Sequence, residues 1–375
     1  MSDYTVPGTD IDIQSLPKIS LHDHLDGGLR PSTILELADS VGASIPEDPT
    51  TGKAIDSSER LGQWFADQAD SGSLVEYLKT FDVTLSVMQT AEGLTRIGRE
   101  FVEDLVDDGV IYGEIRWAPE QHLESGLSLD GAVEAVQAGI DEAVASAATN
   151  GHHIHVGQLI SAMRQNDRSM DIAELALRHR EKGAVGFDIA GPEAGFPPAR
   201  FAEAFAYLAR EMFPVTIHAG EADGIESIRG ALVDGHALRL GHGVRIAEEV
   251  KDLSGENAEV AGLGSVARWV LERGIPLEVS PSSNLQTGAI AAWGSQLADH
   301  PFDALYRLGF AVTVNTDNRL MSSTTLTKEL SLLAAQWGYG MTELLEFQLT
   351  AASASFMHFD DREAVVDRLV SAYAL

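Results

Sequence analysis

The run "KISLHDH", residues 18–24, packs alternating apolar residues against two histidines one residue apart. On a strand side chains alternate faces, so His22 and His24 point the same way. Seven more short β-rich runs follow the same plan: "VIYGEIRWAP" (110–119), "HIHVGQLISA" (153–162), "AVGFDIAG" (184–191), "PVTIHAGE" (214–221), "LRLGHGV" (238–244), "IPLEVSPSS" (275–283) and "AVTVNTDN" (311–318). Helix-period segments separate them, among them "AVEAVQAGIDEAVASAA" (132–148) and "SVARWVLERG" (265–274). Eight strands alternating with helices predict an α/β fold, a (β/α)8 TIM barrel. A doubly wound sheet competes, but no G-x-G-x-x-G follows the first strand.

About eighty-five residues separate the first two runs, far more than one helix needs. The stretch "SLVEYLKTFDVTLSVMQTAEGLTRIGREFVEDLVDDG" (73–109) reads as added helices covering a barrel mouth or end, and "SIPEDPTTGKAIDSSER" (44–60) as a polar loop. After the eighth run, "TLTKELSLLAAQWG" (325–338) and the last thirty residues are also helical. No repeat, low-complexity tract or interdomain linker interrupts the chain, so residues 1–375 are read as one domain.

Composition narrows the chemistry. With 26 basic and 57 acidic residues the formal charge is −31, which repels phosphate backbones and anionic membranes. Neither nucleic acid nor a membrane is an expected partner. The absence of cysteine removes disulfides and thiolate-bound zinc, so any metal must be held by histidine and carboxylate. The start, "MSDYTVPGTDIDIQ", lacks a basic-then-apolar signal pattern, and the expectation is a cytoplasmic protein.

The strand ends carry the candidate site. His22 and His24 end the first run, His218 and Glu221 the fifth, His242 the sixth and Asp317 the eighth. In a barrel these ends face one mouth, where active sites are built. Three imidazoles (His22, His24, His218) and Asp317 form a plausible zinc shell with room for a water. His242, between Gly241 and Gly243, suits a base or an electrostatic partner. Glu221, three residues past His218, can reach the cavity as a protonated acid; its bland alternative is an acid at the start of a helix. The remaining eight histidines (122, 152, 153, 155, 179, 236, 300 and 358) are read as structural or surface residues.

In this order "LHDHLDGGLRP", "DIAGPE", "HAGE", "GHGV", "EVSPSSN" and "TVNTDN" resemble the adenosine deaminases, over residues 18 to about 330. The resemblance implies a (β/α)8 barrel that converts adenosine to inosine and ammonia with one Zn2+ per chain. It assigns His22, His24, His218 and Asp317 to the metal, Glu221 to protonation of purine N1, and His242 to the attacking hydroxide. It places Asp26 and His24 at the ribose and the backbone N–H of Gly191 at purine N3. Binuclear barrel hydrolases carry a modified lysine at the end of strand 4; "FDIAGPE" has none, so a single metal is expected. Many family members have a second aspartate where this chain has Asn318, whose amide can donate to purine N7 at any pH.

Two rival readings stand beside this one. The same barrel could deaminate adenine, AMP, N6-methyl-AMP or aminofutalosine. A 5′-phosphate would want a cation; Arg30 follows the first motif, but Asp26 stands closer to the ribose end. The other rival is a catalytically silent binding protein, yet no expected ligand or acid is missing. The oligomeric state is not legible.

Overall fold

The computed structural model describes residues 4–251, 253 and 262–374. All eight predicted strands form: β1 (Lys18–His24), β2 (Val110–Trp117), β3 (His155–Met163), β4 (Ala184–Ala190), β5 (Thr216–Ala219), β6 (Arg239–His242), β7 (Leu277–Val279) and β8 (Val312–Val314). Every pairing is parallel, within two four-stranded sheets, β1-β2-β3-β4 and β5-β6-β7-β8. Two thin seams join the sheets into a barrel. At one, the Phe187 N–H donates to the Pro214 carbonyl at 3.0 Å beside a Phe187–Val215 bridge. At the other, Asp23 bridges Asp317, the His24 N–H donates to the Asp317 carbonyl (2.8 Å) and the Asp317 N–H to the His22 carbonyl (2.9 Å).

The β1 strand is not regular. Its register against β2 shifts between Ser20 and Asp23, three steps on β1 matching two on β2. Such a bulge re-aims the side chains beyond it. The Asn315 side chain fixes it by accepting from two successive N–H groups, Leu21 and His22, each at 3.1 Å. His22 and His24 therefore share the barrel interior, as alternation predicts, while Asp23 turns outward to pair with Arg319 at 2.9 Å.

The long insert between β1 and β2 holds helices Pro31–Val41, Ser58–Ala69, Leu74–Leu78, Phe81–Val87 and Ala91–Asp107. The expected loop at 44–60 ends sooner than its polarity suggested: Ser57 caps a helix by accepting from the Arg60 N–H, so residues 58–60 are helical. Helices Leu74–Leu78 and Phe81–Val87 cover the mouth, as their place in the insert suggested, and contribute Leu74, Tyr77, Phe81 and Leu85 to the cavity there. Helix Ala91–Asp107 instead lies against β2 and helix Leu129–Thr149. The C-terminal helices Met341–Ala354 and Phe359–Tyr373 close the opposite end, with Phe356 between them stacked 3.8 Å from the Arg239 guanidinium. No helix among the described residues is long and apolar enough to cross a membrane.

The crossing of helices Ala91–Asp107 and Leu129–Thr149 is close enough to need glycine. A Cβ on Gly139 would lie 2.0 Å from the Thr95 carbonyl oxygen and 2.7 Å from the Arg99 nitrogen. Both are backbone atoms that cannot swing away. Gly139→Ala should therefore destabilise the barrel by about 1–3 kcal/mol through overpacking, lowering Tm by several degrees in calorimetry. An unchanged Tm would show that the two helices have room to part.

Candidate active site

The site begins with backbone strain. Among the described residues five non-glycines adopt left-handed backbone, and two of them are His242 and Asp317, each at φ 59. Such conformations cost about 1–3 kcal/mol and persist only where the surroundings over-determine them. His242 ends β6 and Asp317 lies three residues past β8, and both line the cavity at the barrel mouth. Gly241 makes this possible, since a Cβ there would stand 3.1 Å from both the His218 Cα and the His22 ring.

His22, His24, His218 and Asp317 converge, each offering a ligand atom within 4.8 Å of the others. The His24 and His218 Nε2 atoms lie 3.2 Å apart, and the Asp317 Oδ1 stands 3.3 Å from the Nε2 of both His22 and His24. Ligands about 2.0 Å from a tetrahedral zinc stand about 3.3 Å apart, so this spacing fits one small divalent cation. The His22 Nε2 is buried with no hydrogen-bond partner, as a ligand nitrogen facing a metal would be. Burial lowers the pKa of His24 and His218, which keeps these ligands neutral. Burial alone would raise that of Asp317; the histidine rings packed against it, His22 first, outweigh burial and hold its pKa below the ordinary carboxylate range.

Behind these groups stands a second tier that the sequence reading passed over. Glu278 on β7 accepts from the His22 Nδ1 at 2.9 Å, and Asp188 on β4 from the His218 Nδ1 at 2.9 Å. Each leaves its histidine's Nε2 for the mouth, the carboxylate–histidine arrangement that fixes ring orientation and basicity. Arg116 lies between the two acids, 2.6 Å from Glu278 and 3.4 Å from Asp188. Glu278 also accepts from Thr216 at 2.9 Å and from Arg239, so its charge is fully paired. The Asp317 Oδ2 accepts from the Ser283 hydroxyl at 2.6 Å. Glu278 and Ser283 both lie in the "EVSPSSN" segment.

Glu221 stands clear of a helix start: the next helix, Ile225–Val233, opens at Gly224 with Glu226 in its first turn. Glu221 is buried and faces His242, its Oε2 3.6 Å from the His242 Nε2. Burial, then the charges of Asp317 and Glu193, push its pKa well above the ordinary range, which favours the protonated carboxyl. Glu193 of "DIAGPE" sets this loop by accepting from the N–H groups of Gly220 (2.6 Å), Glu221 (3.1 Å), Ala222 (2.6 Å) and Asp223 (3.0 Å).

The cavity over these groups is walled by His24, Asp26, Trp117, Met163, Gly191 and Asn318, among others. Gly191 adopts φ 96, a backbone conformation that favours glycine, beside the Gln165 side chain. Asn318 is buried with an unpartnered Oδ1. Burial, then the Asp317 charge, raises Asp26 to about 7. Arg30 is elsewhere: it binds Glu103 at 3.1 Å and Asp104 at 2.6 Å on helix Ala91–Asp107. Of the eight histidines set aside, 152, 153, 155, 236 and 358 are exposed, whereas His122, His179 and His300 are buried and hydrogen-bonded.

Asp188→Asn should test the second tier. It keeps an oxygen near the His218 ring but removes the charge, so zinc affinity in chelator competition should fall about 10–100-fold with unchanged circular dichroism. Unaltered affinity would mean that the His218–Asp188 contact does not tune the metal site.

The family model described as adenosine deaminase matches residues 17–372. Adenosine deaminase 1 of Streptomyces coelicolor is 50% identical over 359 residues, 96% of this chain and 87% of that protein. Adenosine deaminase of Mycolicibacterium vanbaalenii is 48% identical over 367 residues, 98% of this chain and 97% of that one. Among solved structures, the Arabidopsis N6-mAMP deaminase superposes with a TM-score of 0.79 at 28% identity, covering 96% of this chain and 99% of that one. An adenine deaminase from Arthrobacter aurescens superposes with a TM-score of 0.80 at 22% identity, over 96% of this chain and 100% of that one, and shares the fold. From its motifs, its barrel and its full-length relatives, the chain belongs to the adenosine deaminase family.

Proposed function

We propose that this protein is a zinc-dependent hydrolase that deaminates adenosine, and 2′-deoxyadenosine with it, to inosine and ammonia. The observation that carries the reading is Glu221: a buried carboxyl whose pKa is pushed upward, lining the same cavity as histidines and an aspartate spaced for one metal. Breaking the C6–N bond of an aminopurine needs both a nucleophilic water and a proton on the ring, and these two features supply them.

His22, His24, His218 and Asp317 would hold one zinc, whose Lewis acidity lets water ionise near neutral pH. Glu221 donates its proton to purine N1, so that the ring accepts an electron pair as C6 becomes tetrahedral. His242, 3.6 Å from Glu221, lies beside the attacking oxygen and orients it. The proton lost by the attacking water passes to the amine, the C6–N bond breaks to release ammonia, and the C6 hydroxyl proton returns to Glu221 as the ring regains its conjugation as inosine. Asp26 and His24 meet the ribose, a neutral Asp26 carboxyl being able to donate as well as accept. Gly191 presents its backbone to purine N3, and the Asn318 amide donates to N7. The helices over the mouth give the base an apolar wall in Leu74, Tyr77 and Phe81.

The choice of a neutral nucleoside over a nucleotide rests on charge. Among the described residues no lysine or arginine lines the cavity, whereas Asp26 and Asp82 do. A 5′-phosphate placed there would find no guanidinium or ammonium partner.

Zinc-loaded protein given adenosine, adenine and AMP separately should release ammonia from adenosine fastest; a preference for AMP would overturn the assignment of substrate. Elemental analysis should find about one zinc per chain, and His218→Ala should lose both metal and turnover. Glu221→Gln should retain zinc while kcat falls about 10²–10⁴-fold. Because the pKa of Glu221 is raised, activity should persist at neutral pH and fall as rising pH strips its proton; near-normal turnover in the glutamine variant would remove Glu221 from the chemistry. With 7-deaza-adenosine, which has no N7 acceptor, kcat/KM should drop about tenfold or more if Asn318 donates there.

A further inference from the structure

His242 is the one mouth residue whose role the sequence leaves open between base and hydrogen-bonding partner, and the groups behind it settle which face it presents. The Asn284 side-chain nitrogen lies 3.0 Å from the His242 Nδ1. Its oxygen lies 3.3 Å from the Nε2 of His300, on the far side of Asn284 from the site. The Nδ1 of His300 in turn faces the backbone N–H of Phe302 at 3.1 Å. Asn284 is completely buried and His242 and His300 nearly so, so no water completes these contacts from outside.

That backbone N–H sets the direction of the whole chain, because an amide nitrogen can only donate. The His300 Nδ1 must therefore accept, and the proton of its ring sits on Nε2. Nε2–H donates to the Asn284 side chain, whose oxygen must face it. The amide NH₂ then faces His242 and donates to its Nδ1, which must also be an unprotonated acceptor. A neutral imidazole carries one ring proton, and on His242 only Nε2 remains for it.

We infer that the Phe302 N–H, relayed through His300 and Asn284, locks His242 in the Nε2–H tautomer, so that it meets the reacting oxygen as a hydrogen-bond donor and takes no proton from it through Nε2. Asn284 and His300 are then positioning residues for the deamination, and the inference deepens the proposed function on which it rests. A donor at this place stabilises oxygen-centred negative charge and aims the lone pair that attacks C6. The water's proton must go elsewhere at the mouth, and Asp317 is the carboxyl that stands in both the ligand cluster and the His242 cluster.

The test separates this claim from the activity. In zinc-loaded protein labelled with ¹⁵N-histidine, long-range ¹H–¹⁵N correlation reads ring protonation directly, with His242→Gln identifying its signals. A protonated Nε2 and a bare Nδ1 on His242 are expected, with the same pattern on His300. A bare Nε2 on His242 would overturn the relay, whatever substrate the enzyme turns over. Asn284→Asp supplies the complementary perturbation: a carboxylate accepts from both rings, so a proton must move onto the His242 Nδ1. Its expected signature is a protonated Nδ1 in the spectrum and a fall of at least tenfold in kcat with KM and zinc content little changed. Should the spectrum shift as described while kcat stays at the parent value, His242 is locked but the lock is irrelevant to turnover, and the positioning role fails. Asn284→Gln, which keeps the amide, should recover part of the loss; equal damage in both variants would mark Asn284 as a packing residue only.

Discussion

The Glu278 carboxylate, sealed in the barrel, is the interaction on which the site depends. It accepts from the His22 ring, from Arg116, from Arg239 and from Thr216, which come from β1, β2, β6 and β5. Barrel interiors are commonly filled with branched aliphatic residues. Here one layer is ionic, and the reason is mechanical. A hydrocarbon can fill space beneath an imidazole but cannot choose which of its nitrogens points upward. A carboxylate can, provided its own charge is satisfied; an unpaired one would cost several kcal/mol. The two buried arginines supply that satisfaction.

From this layer the remainder of the site is built by short segments that each do two things. The "EVSPSSN" stretch offers Glu278 to His22, Ser283 to Asp317 and Asn284 to His242 within seven residues. The "DIAGPE" stretch offers Asp188 to His218 and Glu193 to the loop that carries Glu221. Groups that face the substrate and groups that hold them thus come from neighbouring positions on adjacent strands. This is why the left-handed backbone at His242 and Asp317 is tolerated: each strained residue is pinned by a side chain from the β7 segment.

The sequence made the front of this site legible and hid its back. Histidines are rare, so four of them at strand ends stand out, and strand parity aligns His22 with His24 without further information. Asp188, Glu278 and Glu193 carry no such mark: among 57 acidic residues a buried one reads like an exposed one until its partners, distant in the chain, are known. The bulge in β1 was equally silent, because it is imposed by Asn315, almost three hundred residues away. His300 was set aside with the surface and structural histidines, and only its place behind Asn284 distinguishes it. The strands were found because β-branched runs are a local signal, but their ends were not: of the run 275–283 only Leu277–Val279 is strand, and a helix begins at Pro281. The early end of the loop at Ser57 was a capping effect that polarity alone obscures.

The thin seam between the first and last strands has a consequence for how the molecule comes into being. His22 and His24 belong to β1 and Asp317 follows β8, so the two sides of the ligand cluster are also the two lips of the closing barrel. Bringing residues so far apart along the chain together costs loop entropy that only late, non-local contacts repay. A nascent or truncated chain ending before β8 carries both histidines of the first motif and still has no site. The catalytic centre is therefore an all-or-none product of completed folding, and the partly synthesised protein cannot act on nucleosides before its last strand is in place.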